Sequence, residues 1–153
     1  MKSDLMGLNR IINMATLAGA CKNNGIDLLK SAKSVAEMIR VMKTPQGIEF
    51  CMEKQFPSME VLAEYESELA AANVFIAGDH TIQNPRLVIA YGGRIEIHAS
   101  EWHVCEVYAT SSAEIVIIAS DNAFVSVELH HDSSCEKYVN GSAKVSLHNK
   151  QYV

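Results

Sequence analysis

From Gly93 onward the chain repeats itself every ten residues, and a fixed internal period leaves few folds open. Six rows align: GRIEIHASEW, HVCEVYATSS, AEIVIIASDN, AFVSVELHHD, SSCEKYVNGS and AKVSLHNKQY. Side chains on a strand alternate between its two faces, so the first, third, fifth and seventh columns share one face. Column three reads Ile95, Cys105, Ile115, Val125, Cys135, Val145, and column five reads Ile97, Val107, Ile117, Val127, Lys137, Leu147. Column seven reads Ala99, Ala109, Ala119, Leu129, Val139, Asn149. The last two columns hold turn formers such as Ser111-Ser112, Asp121-Asn122, His131-Asp132 and Gly141-Ser142. Each row therefore reads as a half-buried strand followed by a short turn.

Two architectures satisfy this pattern, a β-solenoid with a coil of two rows and an antiparallel meander. Six rows in one in-out phase favour the solenoid. The frame makes a sharp expectation: Ile115 and Ile117 buried, Glu114 exposed. Lys137 marks the weak row. There the lysine snorkels outward, or the repeat breaks between Ser133 and Lys137.

Upstream the periodicity is helical. Ser3 or Asp4 can cap a helix running to Cys21, stopped by Asn23-Asn24-Gly25. Leu28, Ala32, Val35, Ile39 and Met42 form the stripe of a second helix. Pro45 opens a third with Ile48, Cys51 and Met52 inward, and Pro57-Ser58 breaks it. A fourth carries Leu62, Tyr65 and Leu69 on one face and Glu60, Glu64 and Glu68 on another. Val74 to Ala77 is a short apolar run, Asn84-Pro85 a turn, and Leu87 to Ala90 an apolar strand. The fold class is α+β, with about four helices over 1–72 that anchor or cap and a repetitive β module over 73–153. No Gly/Ser/Pro-rich linker separates the halves, so they are expected to pack as one unit.

A length of 153 residues suits one domain or two small ones. The net charge of −5 argues against nucleic acid as the main partner. No apolar run reaches the ~18 residues of a membrane span, and Asp4 and Arg10 interrupt the place of a signal-peptide core. The chain reads as cytoplasmic when made, or carried out within a larger particle. Cys21, Cys51, Cys105 and Cys135 show no CxxC spacing and no dense framework; Cys105 and Cys135 share an inward column and read as two small buried thiols, a disulfide or metal site being the alternative.

No P-loop, dinucleotide fingerprint, HExxH or nucleophile motif is present. His130-His131-Asp132, with Asp121 and Asn122 a row earlier, is the tempting metal cluster, but adjacent histidines on a strand end point to opposite faces and the turn reads as solvated. Glu96, His98 and Glu106 could do acid-base work of the glycosidase kind, yet any exposed β face carries such residues. The chain is expected to need no cofactor and not to be an enzyme. More informative are apolar residues in outward columns: Val104, Val116, Ile118 and Phe124, with Trp102 in a turn beside them. An apolar patch on a β face marks an interface. In a solenoid, Val116 and Ile118 share one face while Val104 and Phe124 lie on the other. The partner expected is a second copy of the chain, a trimer being one form, or another structural protein. Tyr91, Tyr108 and Tyr138, with Trp102, would serve a carbohydrate-binding module, which makes a glycan the alternative ligand.

The runs GIEFCMEKQFPS (47–58), NVFIAGDHTIQNPRLVIAYG (73–92) and CEVYATSSAEIVIIASDNAFVSV (105–127) resemble a group of proteins from gut Bacteroidales genomes, their phages and mobile elements. The resemblance covers most of the chain from about Ser31. It implies a helical N-terminal part followed by β repeats, and a phage- or mobile-element setting in which such modules assemble, decorate virions or attach to surfaces. It carries no catalytic residue.

Overall fold

The structure, a computed structural model, describes residues 34–58 and 62–150. The chain divides into two compact units, Met1–Ala72 and Asn73–Val153. Among the described residues the first holds three α-helices, not about four: α1 (Val35–Met42), α2 (Pro45–Lys54) and α3 (Glu66–Ala71), the last preceded by a 3-10 turn at Ala63–Tyr65. The helix expected up to Cys21, like Leu28 and Ala32 of the second stripe, lies outside the described residues.

The first two helices start where the sequence supplies a side-chain cap, and α3 has none. Ser34 Oγ accepts from the Glu37 N–H at 3.2 Å, which satisfies one of the free amides at the start of α1. Thr44 does this for α2, accepting from Gly47 N–H at 3.1 Å while its own hydroxyl donates to the Val41 carbonyl at 2.7 Å. That arrangement packs the end of α1 onto the start of α2: a Cβ on Gly47 would sit 2.2 Å from the Val41 oxygen, so only glycine fits. Val35, Met38, Ile39 and Met42 of α1, Ile48, Cys51 and Met52 of α2, and Leu62, Tyr65 and Leu69 form the buried stripes. Lys43 Nζ donates to the Ala72 carbonyl at 2.5 Å and ties α1 to the end of α3, and burial lowers its pKa.

The second unit is a parallel β-solenoid. Its strands are β1 (Val74–Phe75), β2 (Asp79–Gln83), β3 (Leu87–Ala90), β4 (Arg94–Ala99), β5 (Val104–Ala109), β6 (Glu114–Ala119), β7 (Phe124–His130), β8 (Ser134–Val139) and β9 (Lys144–Lys150). Odd strands form a five-stranded sheet in the order β1-β3-β5-β7-β9, and even strands a four-stranded sheet in the order β2-β4-β6-β8. Every pairing is parallel, which excludes the meander. Ile115 pairs with Ile95 and Cys135, and Val125 with Cys105 and Val145, so one coil is two ten-residue rows.

The corners explain why the period holds. Column nine is left-handed at every corner of the repeats: Glu101, Ser111, Asp121, His131 and Gly141 have φ between 56° and 64°. Such a backbone costs an L-residue about 1–2 kcal/mol, so its recurrence identifies the geometry that turns one sheet into the other. A backbone hydrogen bond closes each corner, as from Ala113 N–H to Thr110 O at 3.3 Å and from Ala123 N–H to Ser120 O at 3.1 Å. Corners on one edge are stitched together, Asn122 N–H to Glu101 O and Ser142 N–H to Asp121 O, both at 2.8 Å.

The first coil is tighter. Gln83 pairs with His98 and Leu87 with Glu106, so four steps of chain cover what eight steps cover in the next coil. Asn84 makes that corner, with φ 47° and its Oδ1 accepting from Ser100 N–H at 2.9 Å. His103 Nε2 hydrogen-bonds the neighbouring Pro85 carbonyl at 2.7 Å. The inward columns form the core: Ile95, Ile97, Cys105, Val107, Ile115, Ile117, Val125 and Val127 are all at most 1% exposed. Glu114 is exposed, as the ten-residue frame requires.

Candidate interaction surface

The outward apolar residues divide between the sheets. Val104 and Phe124 are register partners on β5 and β7 of the five-stranded sheet. They are 56% and 41% exposed, and Trp102, two residues before Val104, is 78% exposed. The Phe124 amide donates to the His103 carbonyl at 2.9 Å, which places Phe124 beside the segment that carries Trp102 and Val104. These three exposed apolar residues lie at one edge of the coil, where β4 turns into β5 and β6 into β7. Val116 and Ile118 lie on β6 of the other sheet, between Glu96 and Glu136 and between His98 and Tyr138. Val116 is buried and Ile118 half-buried, so Val116 does not extend an exposed face.

The tyrosines do not assemble into a platform. Tyr91 is fully buried, against the expectation that it presents an exposed ring: it closes the first coil, where Ile89 and Ala90 are buried too. Tyr108 is half-buried on β5, and Tyr138 is exposed on β8 of the opposite sheet. Burial raises the Tyr108 pKa, helped by the carboxylates of Glu106 and Glu128.

Polar outward residues pair along their own strands. His98 Nε2 lies 2.9 Å from Glu96 Oε2, His130 Nε2 lies 2.8 Å from Glu128 Oε1, and Tyr138 donates to Glu136 at 3.3 Å. The acid-base trio does not form, since Glu96 and His98 lie on β4 and Glu106 on β5 of the other sheet. His130 is only 3% exposed, and burial lowers its pKa against the opposing pull of its Glu128 hydrogen bond. Asp121 and His131 occupy opposite edges of the coil, one joining β6 to β7 and the other β7 to β8, so stacking does not bring them together. Among the described residues no group of three or more His, Cys, Asp or Glu side chains is placed to hold a metal ion. Cys105 and Cys135 are free thiols. Burial pushes Cys105 up to about 12 and Cys135 to about 11. Cys105 and Cys135 share a column but line opposite sheets, since successive rows alternate between them.

The frame treats Val139 and Leu147 as core, yet they are 43% and 37% exposed. Lys137 is exposed as well, and the repeat does not break there: Ile117 keeps Lys137 as its register partner. These residues belong to β8 and β9, beyond which no further strand pairs among the described residues.

Comparison with protein-family profiles, curated proteins and solved structures returns no match. Among the described residues no helix is long and apolar enough to cross a membrane.

Proposed function

We propose that this chain is a non-enzymatic interaction protein whose β-solenoid associates with further copies of itself through the patch of Trp102, Val104 and Phe124. The observation that carries this reading is the exposure of three large apolar side chains, 78%, 56% and 41%, at one edge of a rigid parallel sheet. Leaving them in water costs free energy that a partner recovers, at about 25 cal/mol per Å2 of apolar surface covered. The strands beneath are ordered by a continuous register, so little entropy is lost when the patch is covered. The resemblance to phage- and mobile-element-linked proteins supplies the setting, a virion accessory or surface-attachment component.

The test is native mass by light scattering over a range of concentrations, for the parent and for a Trp102→Ser/Val104→Thr/Phe124→Ser variant. A closed oligomer in the parent and a folded monomer in the variant support the reading. A parent that stays monomeric throughout removes it. In that case the exposed Trp102 ring favours the carbohydrate-binding alternative, which a glycan screen against Trp102→Ala then tests.

A further inference from the structure

The terminal coil carries a second, independent feature. Lys137 is the only Asp, Glu, Lys or Arg in the four inward columns of the six rows. It falls on β8, the last described strand of its sheet. The same column holds Ile97 on β4 and Ile117 on β6, both fully buried, and the β6–β8 register continues through it. Lys137 is exposed, and among the described residues no strand pairs beyond β8. Asn149 holds the equivalent place on β9, in the column that holds Ala109 and the largely buried Leu129 in the coils above.

We propose that Lys137, supported by Asn149, is a charged stopper that keeps a second copy of this chain from stacking end to end on the terminal coil. The argument is physical. Among the described residues no strand pairs beyond β8 and β9, whose edges, six and seven residues long, offer backbone N–H and C=O groups to a strand that approaches. Val139 and Leu147, partly exposed beside them, would be covered by such a strand, so hydrogen bonding and apolar burial both favour growth of the solenoid. An added coil would trap the Lys137 ammonium between two apolar layers, where an unpaired charge is strongly disfavoured. Inward-pointing charge on an edge strand and a polar outer face on a terminal repeat are the known physical means of stopping such growth. Axial stacking is thereby suppressed, while the Trp102 patch, on the outer surface of the coil, is left free to associate sideways.

The experiment uses the full chain with Trp102→Ser/Phe124→Ser as background, so that lateral association is removed and the two readings fail separately. Lys137→Ile is compared with Lys137→Arg in that background by concentration-dependent light scattering, with far-UV circular dichroism to verify folding. The expected result is a rise of about twofold or more in weight-average mass with concentration for Lys137→Ile, and no rise for Lys137→Arg. A folded Lys137→Ile that keeps the mass of the background overturns the proposal, and so does an equal rise in Lys137→Arg. Should Lys137→Ile fail to fold, Lys137→Thr decides by the same criterion.

Discussion

The coils built from β6 and β7 and from β8 and β9 share one register, one corner geometry and nearly one pattern of residues, yet differ in what they bury. Ile117 is fully buried and Leu147, in the same column, is 37% exposed. Ile115 is 1% exposed and its register partner Cys135 only half-buried. In a solenoid the alternation of side chains decides which way each residue points, and a neighbouring coil on each side decides whether it is covered. A column is therefore a direction, and burial is a property of rank within the stack.

Substitutions in matched columns test this most severely. Ile117→Ala should cost about 2–5 kcal/mol, because the surrounding coils cannot collapse into the space. Leu147→Ala should cost about 1 kcal/mol or less, since much of that side chain already meets water. Chemical denaturation of both variants measures the difference, and equal losses would break the comparison.

The same contrast shows what was legible in the sequence. The ten-residue frame placed Ile115, Ile117 and Glu114 correctly and assigned Val104 and Phe124 to one sheet and Val116 and Ile118 to the other, because strand alternation is strictly local. It did not show β2. Asp79–Gln83 contains one aliphatic residue, Ile82, and owes its place to backbone pairing with β4. Nor did it show that the repeat extends back to Val74, since the compressed corner at Asn84 shifts the period. The burial of Tyr91 and Val116 was illegible because it depends on what lies over a face, which a strand's own alternation does not encode.

A smaller effect concerns the corners. Gly141 holds the column-nine position of the terminal coil at φ 64°, where a Cβ would stand 3.2 Å from the Asp121 carbonyl oxygen. Gly141→Ala should lower stability by about 1–2 kcal/mol, read as a shift in the denaturation midpoint. Hydrogen exchange sharpens the comparison further if the lost protection is confined to β8 and β9.

The smallest effect is a dependence on pH. His130 ends β7, immediately before the corner that leads to the terminal coil, and burial lowers its folded pKa below the unfolded value. Its contribution to stability is intact above the unfolded pKa of about 6.5 and is lost as pH falls through that value toward the folded pKa, because the unfolded chain takes up the proton first. Melting between about pH 8 and pH 5 should therefore show a decline that His130→Gln lacks. In the parent, β8 and β9 should lose exchange protection before β4 and β6.

The twenty-residue register also makes this unit a ruler. Parallel strands stand about 4.8 Å apart, so the solenoid lengthens only in whole rungs of that height. Duplicating residues 114–133 would add one rung between the pair Trp102 and Val104 and the rung of Lys137, moving the end charge away from them by one fixed increment while every corner keeps its local geometry. Any partner that grips both places at once would read the number of coils as a distance.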